Sequence, residues 1–139
     1  MIILDTNVVS ELMRPKASAE VLAWANDQDL KTLHLSVVSL GELRFGICAL
    51  PHGRRREDLE RRLQEMIAQV FKDRLLDFDA AAASLYGERR AAARAAGRAV
   101  AVADGMIAAT AAARGWPVAT RDSEPFEGMG VDVIDPWTA

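Results

Sequence analysis

The sequence predicts an α/β fold, a three-layer sandwich in which a central parallel sheet of about five strands lies between layers of helices. Two observations predict it. Short apolar segments alternate along the chain with segments of helical character. The 139 residues are 50% hydrophobic and 27% charged, a composition typical of one globular domain that spans residues 1–139.

Short runs of aliphatic side chains beside turn or helix signals place the strands. The predicted strands are residues 2–4, 32–36, 75–78, 117–120 and 131–134. Strands that are separated by helices are joined by crossover connections. They therefore lie parallel in one sheet, with helices on both faces.

Capping residues and helix breakers place the helices. The clearest periodicity runs from Leu59 to Phe71, where apolar side chains recur at the i, i+4, i+7, i+8 spacing of one buried stripe. Asp79 begins an alanine-rich helix that runs towards Gly97. The other predicted helices are residues 8–13, ended by Pro15; a helix from its cap Ser18 to about Asp29; a helix through Leu43, Ile47 and Leu50 that ends at 51–53; and a helix from about Asp104 to Arg114 that stops at Gly115.

Charge and cysteine content exclude several classes of protein. The net charge of −3 and the pI of about 5.4 give no global sign of nucleic-acid binding, which would need a local basic patch. The one cysteine, Cys48, cannot form an internal disulfide, so a reducing cytoplasm is expected, with Cys48 buried and inert. We expect neither a signal peptide nor a membrane span.

Four acidic residues follow predicted strands or lie near the starts of helices. They are Asp5, Glu42, Asp104 and Asp122. Ligand sites of parallel sheets form beyond the carboxyl ends of the strands, so these acids are expected to share a site. Each also has a local alternative. These alternatives are a helix cap at Asp5 or Asn7, a capping box of Ser39 with Glu42, a helix cap at Asp104, and a turn at Asp122.

Clustered carboxylates repel one another and raise each other's pKa values unless a cation neutralises them. Mg²⁺ or Mn²⁺ prefers such hard oxygen ligands, and it can activate water and neutralise charge on a phosphate. Small polar residues beside the acids are expected either to orient them or to make local turn hydrogen bonds. These residues are Thr6, Asn7, Thr120 and Ser123.

Four ordered segments resemble a PIN domain, and more narrowly the VapC/FitB-type toxins of bacterial toxin–antitoxin pairs. They are ILDTNVVSEL near the start, S-x-x-E-L around residue 42, ADGMIAAT at 103–110 and ATRDSEPF at 119–126. The similarity spans essentially the whole chain, including D-P-W at 135–137.

The resemblance implies a ribonuclease that depends on Mg²⁺ or Mn²⁺ and cuts RNA. The acidic quartet of such enzymes maps onto Asp5, Glu42, Asp104 and Asp122. The resemblance also implies a homodimer and inhibition by a cognate antitoxin. The antitoxins of this family commonly carry a DNA-binding domain and cover the nuclease site.

Basic and aromatic residues are the candidates for substrate contact. Arginines at 54–56, 61, 62, 89, 90, 94 and 98 could bind phosphates, but most are expected on solvated helix faces that also carry acids. Trp24, Trp116 and Trp137 could stack on bases, although the first two are expected in the core. Arg121 is given no role, and His34 and His52 are not expected to be catalytic.

Three functions are compatible with the acids. The first is the metal-dependent ribonuclease. The second is aspartyl-phosphate chemistry, which needs a lysine near the phosphate, whereas none of Lys16, Lys31 and Lys72 directly follows a strand. The third is a non-catalytic subunit that binds a DNA-binding antitoxin and whose acids only cap helices.

Overall fold

Five parallel strands form the central sheet of the computed structural model, which describes residues 1–139. The strands are β1 (Ile2–Leu4), β2 (Leu33–Ser36), β3 (Leu75–Leu76), β4 (Val118–Ala119) and β5 (Val133–Ile134). Their order in the sheet is β3-β2-β1-β4-β5, and every neighbouring pair is parallel. The predicted parallel α/β sheet is confirmed.

The order of the strands reverses at β1. Its residue Ile3 pairs with His34 of β2 on one side and with Val118 of β4 on the other. In open α/β sheets the crevice beyond the carboxyl ends of such strands is the usual place for a ligand. Asp5 directly follows β1, and Thr120 directly follows β4.

Seven α-helices flank the sheet. They are α1 (Thr6–Leu12), α2 (Ala19–Asn26), α3 (Val37–Cys48), α4 (Arg54–Met66), α5 (Ala80–Ala95), α6 (Val102–Arg114) and α7 (Glu124–Gly128). A 3₁₀ turn (Leu30–Thr32) precedes β2. None of these helices combines the length and the apolar character that crossing a membrane requires.

Alternate side chains of the strands enter two different cores. Leu4 lies in a cluster with residues of α1 to α4, whereas its neighbour Ile3 lies in a second cluster with residues of α5 to α7. Both side chains are fully buried. Because successive strand residues point to opposite faces, helices cover both sides of the sheet, as the three-layer prediction requires.

Two of the local roles considered for the acids are wrong, because α3 and α6 begin earlier than predicted. The cap of α3 is Ser36, whose hydroxyl accepts a hydrogen bond from the N–H of Val38, so Ser39 and Glu42 do not form a capping box. Ala101 precedes α6, which places Asp104 inside the first turn. Capping therefore explains neither Glu42 nor Asp104.

Two other expectations need correction, and one short helix was not predicted. The periodic segment to Phe71 is not one uniform helix, since α4 ends at Met66 and residues Ile67–Phe71 form a π-helical turn closed by Lys72 N–H to Ile67 C=O. Cys48 is exposed on the last turn of α3, not buried. The five-residue helix α7 was not predicted, because it is too short to show a periodic pattern.

The contact between α5 and α6 gives a test of the packing. A Cβ added at Gly105 would lie 3.0 Å from Cε2 of Tyr86, in the buried contact between the helices. We therefore expect Gly105→Ala to destabilise the protein by about 1–2 kcal/mol, since the clash outweighs the gain in helix propensity. Urea unfolding measures the change.

The matched control is Gly87→Ala in α5, where no atom lies within 4 Å of the added methyl group. This variant is expected to gain up to about 1 kcal/mol from helix propensity alone. Equal stabilisation of both variants would contradict the close approach at Gly105.

Candidate functional site

An open polar depression of about 500 Å³ lies at the carboxyl ends of β1 and β4. All four predicted acids line it: Asp5, Glu42, Asp104 and Asp122. They come from four places in the fold, namely the residue before α1, the helices α3 and α6, and the loop between β4 and α7. The crossover topology thus brings together acids that are far apart in the sequence.

Asp5 is the buried member of the group, with 4% of its surface exposed. Its Oδ1 accepts a hydrogen bond from the N–H of Thr6 at 2.8 Å, so Asp5 does cap α1. Its Oδ2 accepts from the hydroxyl of Thr120 at 2.8 Å and from the side-chain amide of Asn7 at 3.3 Å. Three donors therefore fix the orientation of this carboxylate.

The hydroxyl of Thr120 joins the ends of the two central strands. It donates to Asp5 and accepts from the Asn7 amide at 3.1 Å and from the N–H of Asp122 at 3.1 Å. Thr6 donates its hydroxyl to Oε1 of Glu42 at 2.6 Å. Thr6, Asn7 and Thr120 thus contact the acids themselves, which goes beyond local turn bonding.

None of the four acids has a cationic partner. The ion pairs of the chain involve other residues, and the one at this depression joins Arg14 to Glu11 at 3.3 Å. Arg121 also lines the depression, but it lies within 4.0 Å of no carboxylate. The negative charge of the four acids is therefore not compensated within the chain.

Burial and repulsion both act on the protonation of the acids. The pKa of Asp5 is raised to about 6, chiefly by burial; hydrogen bonds from Thr120 and Thr6 oppose the rise, and the charges of Asp104 and Glu42 add to it. Burial also raises the pKa of Asp104, with further contributions from Glu42 and Asp122. The four acids are therefore electrostatically coupled.

The acids do not form a closed cage, because no three carboxylate, imidazole or thiolate side chains are close enough to hold a metal ion together. Their chemistry nevertheless fits Mg²⁺ or Mn²⁺. Such ions prefer carboxylate oxygens, and Mg²⁺ usually retains several waters while one or two carboxylates bind it. An open group of uncompensated carboxylates meets that demand.

Two alternatives lose support from this geometry. No lysine lines the depression, so aspartyl-phosphate chemistry lacks its expected cation. Helix capping accounts for Asp5 alone, because Glu42 and Asp104 lie inside their helices. At Asp122 it is the hydroxyl of Thr120 that shapes the turn.

Most of the other candidates for substrate contact have structural roles. Trp24 is buried in the core beside α1 to α4, and Trp116 packs against His34 with ring centres 4.5 Å apart. Arg61 pairs with Asp58 and Glu65 on the solvated face of α4, as predicted.

Sequence reasoning missed several residues that line the depression. They are Ser10, Glu11, Arg14 and Arg121, and Trp137 was proposed for base stacking without a location. Helical spacing could have placed the first three, because they lie one to two turns beyond Thr6 and Asn7 on α1 and just after it. Ser123 is not part of the lining.

Known proteins of one family are similar to the chain throughout. The profile of the PIN domain matches residues 2–131. The chain is 46% identical over 137 residues to the VapC ribonuclease Y4jK of Sinorhizobium fredii, covering 99% of this chain and 98% of that protein. It is 41% identical over 137 residues to the toxin FitB of Neisseria gonorrhoeae, covering 99% of each.

The fold is also similar to a solved structure of FitAB bound to an IR36 DNA fragment. The TM-score is 0.92 at 39% sequence identity, and the alignment covers 99% of this chain and 96% of that one.

The raised pKa of Asp5 predicts how the stability of the cation-free protein depends on pH. Between the ordinary value of 3.8 and about 6, the folded state binds more protons than the unfolded state. The contribution of Asp5 to the free energy of unfolding therefore falls as the pH rises from 3.8 through the folded pKa of about 6, and it falls by about 1 kcal/mol between pH 5 and pH 7. Asp104 acts in the same direction.

Urea unfolding in EDTA at pH 5 and pH 7, on wild type and Asp5→Asn, measures this contribution. The variant should lack the part of the pH dependence that Asp5 supplies. Any constant change from the altered hydrogen bonds cancels in the difference between the two pH values. Identical pH dependence in the two proteins would show that Asp5 titrates normally.

Proposed function

Since the chain belongs to the PIN domain family, as a toxin of the VapC and FitB type from toxin–antitoxin systems, we propose that it is a metal-dependent endoribonuclease. One observation carries the proposal. Four carboxylates line one depression at the point where the strand order reverses, and no cation of the chain compensates them. The substrate is RNA, in line with the ribonuclease activity of the related VapC protein Y4jK.

The acids proposed to hold Mg²⁺ or Mn²⁺, either directly or through the waters that the ion retains, are Asp5, Glu42, Asp104 and Asp122. A divalent cation bound there would neutralise charge on a phosphate and lower the pKa of a nearby water. In the net reaction, the oxygen of water bonds to phosphorus and the bond to the 3′ oxygen breaks. The products are a 5′-phosphate and a 3′-hydroxyl.

The residues around Asp5 favour the ionised form of its carboxylate, which is the form that binds a cation. A carboxylate has about four acceptor positions, and at Asp5 three of them take hydrogen bonds from Thr6, Asn7 and Thr120. The remaining position is left for a cation. All three partners donate to the carboxylate, and the hydrogen bonds from Thr120 and Thr6 limit the rise in pKa that burial causes.

Membership of this family also supports an inference about partner proteins. We infer that the chain assembles with a cognate DNA-binding antitoxin that covers the acids, in line with the DNA-bound FitAB structure. Homodimerisation is proposed from the family resemblance, and the alanine-rich α5 would allow close packing of a second copy. The cytoplasmic location stays a prediction.

A non-catalytic subunit is the second candidate considered. It would leave Glu42 and Asp104 without a function, because neither caps its helix and neither has a cationic partner. The nuclease gives both carboxylates a role.

Removal of one carboxylate tests the nuclease directly. We expect Asp104→Asn and Glu42→Gln each to lower the rate of RNA cleavage by about a hundredfold or more, because loss of a ligand should exceed the 10–100-fold effect of losing its outer partners. EDTA should abolish cleavage by the wild type. Gel analysis of an end-labelled RNA with Mg²⁺ or Mn²⁺ measures all three.

The matched control is Asp132→Asn. Asp132 is an exposed acid just before β5, so it lies at the amino ends of the strands and the four acids lie at the carboxyl ends. This variant should cleave like the wild type. Cleavage that persists in EDTA, or full activity of Asp104→Asn, would refute the proposal.

The hydroxyl of Thr120 allows a finer test. Thr120→Val keeps the shape of this fully buried side chain but removes its bonds to Asp5, Asn7 and the N–H of Asp122. We expect activity and Mn²⁺ affinity to fall by about 10–100-fold. Cleavage rates and calorimetric titration with Mn²⁺ measure these effects.

Thr110→Val controls for the loss of a buried hydroxyl elsewhere. Thr110 is equally buried, and its hydroxyl donates to the C=O of Met106 within α6. Its replacement should leave Mn²⁺ affinity unchanged. Equal losses in the two variants would mean that Thr120 acts through stability alone.

A further inference from the structure

Arg121 lies on the rim of the acidic depression, between Thr120 and Asp122. Its side chain is exposed, and its N–H donates to Oδ1 of Asn7 at 3.3 Å. The backbone of Arg121 is thereby tied to the hydrogen-bond network that orients Asp5. Its side chain emerges beside the acids and lines the same depression.

The guanidinium group of Arg121 has no anionic partner, although five carboxylates line this depression. The six ion pairs of the chain do not include it, and its side chain takes part in no hydrogen bond. Arg14 on the same rim differs, because it pairs with Glu11 at 3.3 Å. All five donors of the Arg121 guanidinium are therefore available to another group.

The guanidinium group of Arg121 lies over an aromatic ring. The central carbon of the Arg121 guanidinium lies 5.0 Å from the centre of the Trp137 ring, within the range of a cation–π contact. Trp137 is itself fixed, because its ring packs against the core and its backbone N–H donates to Oδ1 of Asp135 at 2.9 Å. Pro136 between them is buried.

We propose that Arg121, held on the ring of Trp137, binds a phosphate of the RNA strand adjacent to the phosphodiester that is cut. This inference rests on the proposed nuclease function. An RNA strand is a polyanion, and it must approach a depression that carries uncompensated negative charge. A cation at the acids neutralises only the reacting phosphate, so the neighbouring phosphate needs a second positive group.

The chemistry of the arginine suits this role. A guanidinium group can donate two parallel hydrogen bonds to a phosphate, and it stays charged at every physiological pH. Phosphate contacts position a nucleic acid without reading its sequence. Arg121 is thus assigned as a substrate-binding residue and Trp137 as the residue that positions it.

The test compares Arg121→Gln with Arg14→Gln, its already paired neighbour on the rim. Binding of a mixed-sequence single-stranded RNA is measured with Ca²⁺ in place of Mg²⁺, and the RNA is checked for integrity afterwards. We expect Arg121→Gln to weaken binding about tenfold, because hydrogen bonds to charged groups are the stronger ones. Arg14→Gln should change affinity less than about twofold, as expected for an exposed, already paired charge.

Salt dependence separates a phosphate contact from a structural effect. The slope of log affinity against log salt should fall by about 0.7 in Arg121→Gln, the value for one phosphate contact on a single strand. Arg121→Lys should retain the slope. Trp137→Leu should retain it too, because this variant keeps the charge of Arg121 and removes only the ring beneath its guanidinium group. In cleavage assays with Mn²⁺, Arg121→Gln should raise KM and leave kcat nearly unchanged.

The outcomes distinguish this inference from the proposed function. If the wild type fails to cleave RNA with Mg²⁺ or Mn²⁺, the nuclease assignment fails. If the wild type cleaves but Arg121→Gln keeps the wild-type KM and salt slope, only the role of Arg121 is overturned. Thermal unfolding of each variant confirms that the compared proteins are folded.

Discussion

The structure around the site depends on one unfavourable arrangement, the burial of the Asp5 carboxylate among other negative charges. Asp5 lies at the reversal of the strand order, where β1 is flanked by β2 and β4. Burial raises its pKa, and the hydrogen bonds from Thr120 and Thr6 oppose that rise without removing the repulsion from Asp104 and Glu42. If a cation binds these acids as proposed, the same repulsion that weakens folding would strengthen cation binding.

Much of the fold could be predicted, because the determining signals are local. Aliphatic runs placed all five strands, and the glycine after α6, with φ of 71°, ends the helix where the sequence predicts it. Errors occurred where two local signals compete. Ser36 and Ser39 can both cap a helix, and in the structure Ser36, the last residue of β2, is the cap. The turn to π-helix at Ile67 leaves the apolar stripe intact, so periodicity cannot reveal it.

The site could be predicted in part, for a topological reason. Acids that follow parallel strands or begin the next helices must lie at one edge of the sheet, and all four do line one depression. The orienting bonds of Thr6 and Thr120 were expected only in general terms, since their partners depend on side-chain geometry. The role inferred for Arg121 could not be predicted. In the sequence, an arginine between a threonine and an aspartate cannot be distinguished from an ordinary loop residue. Only the structure shows that Trp137 lies beneath its guanidinium group.

The pairing of β1 with β4 has a consequence for protein synthesis. Asp5 and the hydroxyl that orients it are 115 residues apart in the chain. Asp122 and Trp137 are translated later still. A chain that is still growing on the ribosome therefore carries three of the acids in an incomplete sheet, without the strand that seals the central crevice. The whole site can therefore assemble only after translation has passed residue 137.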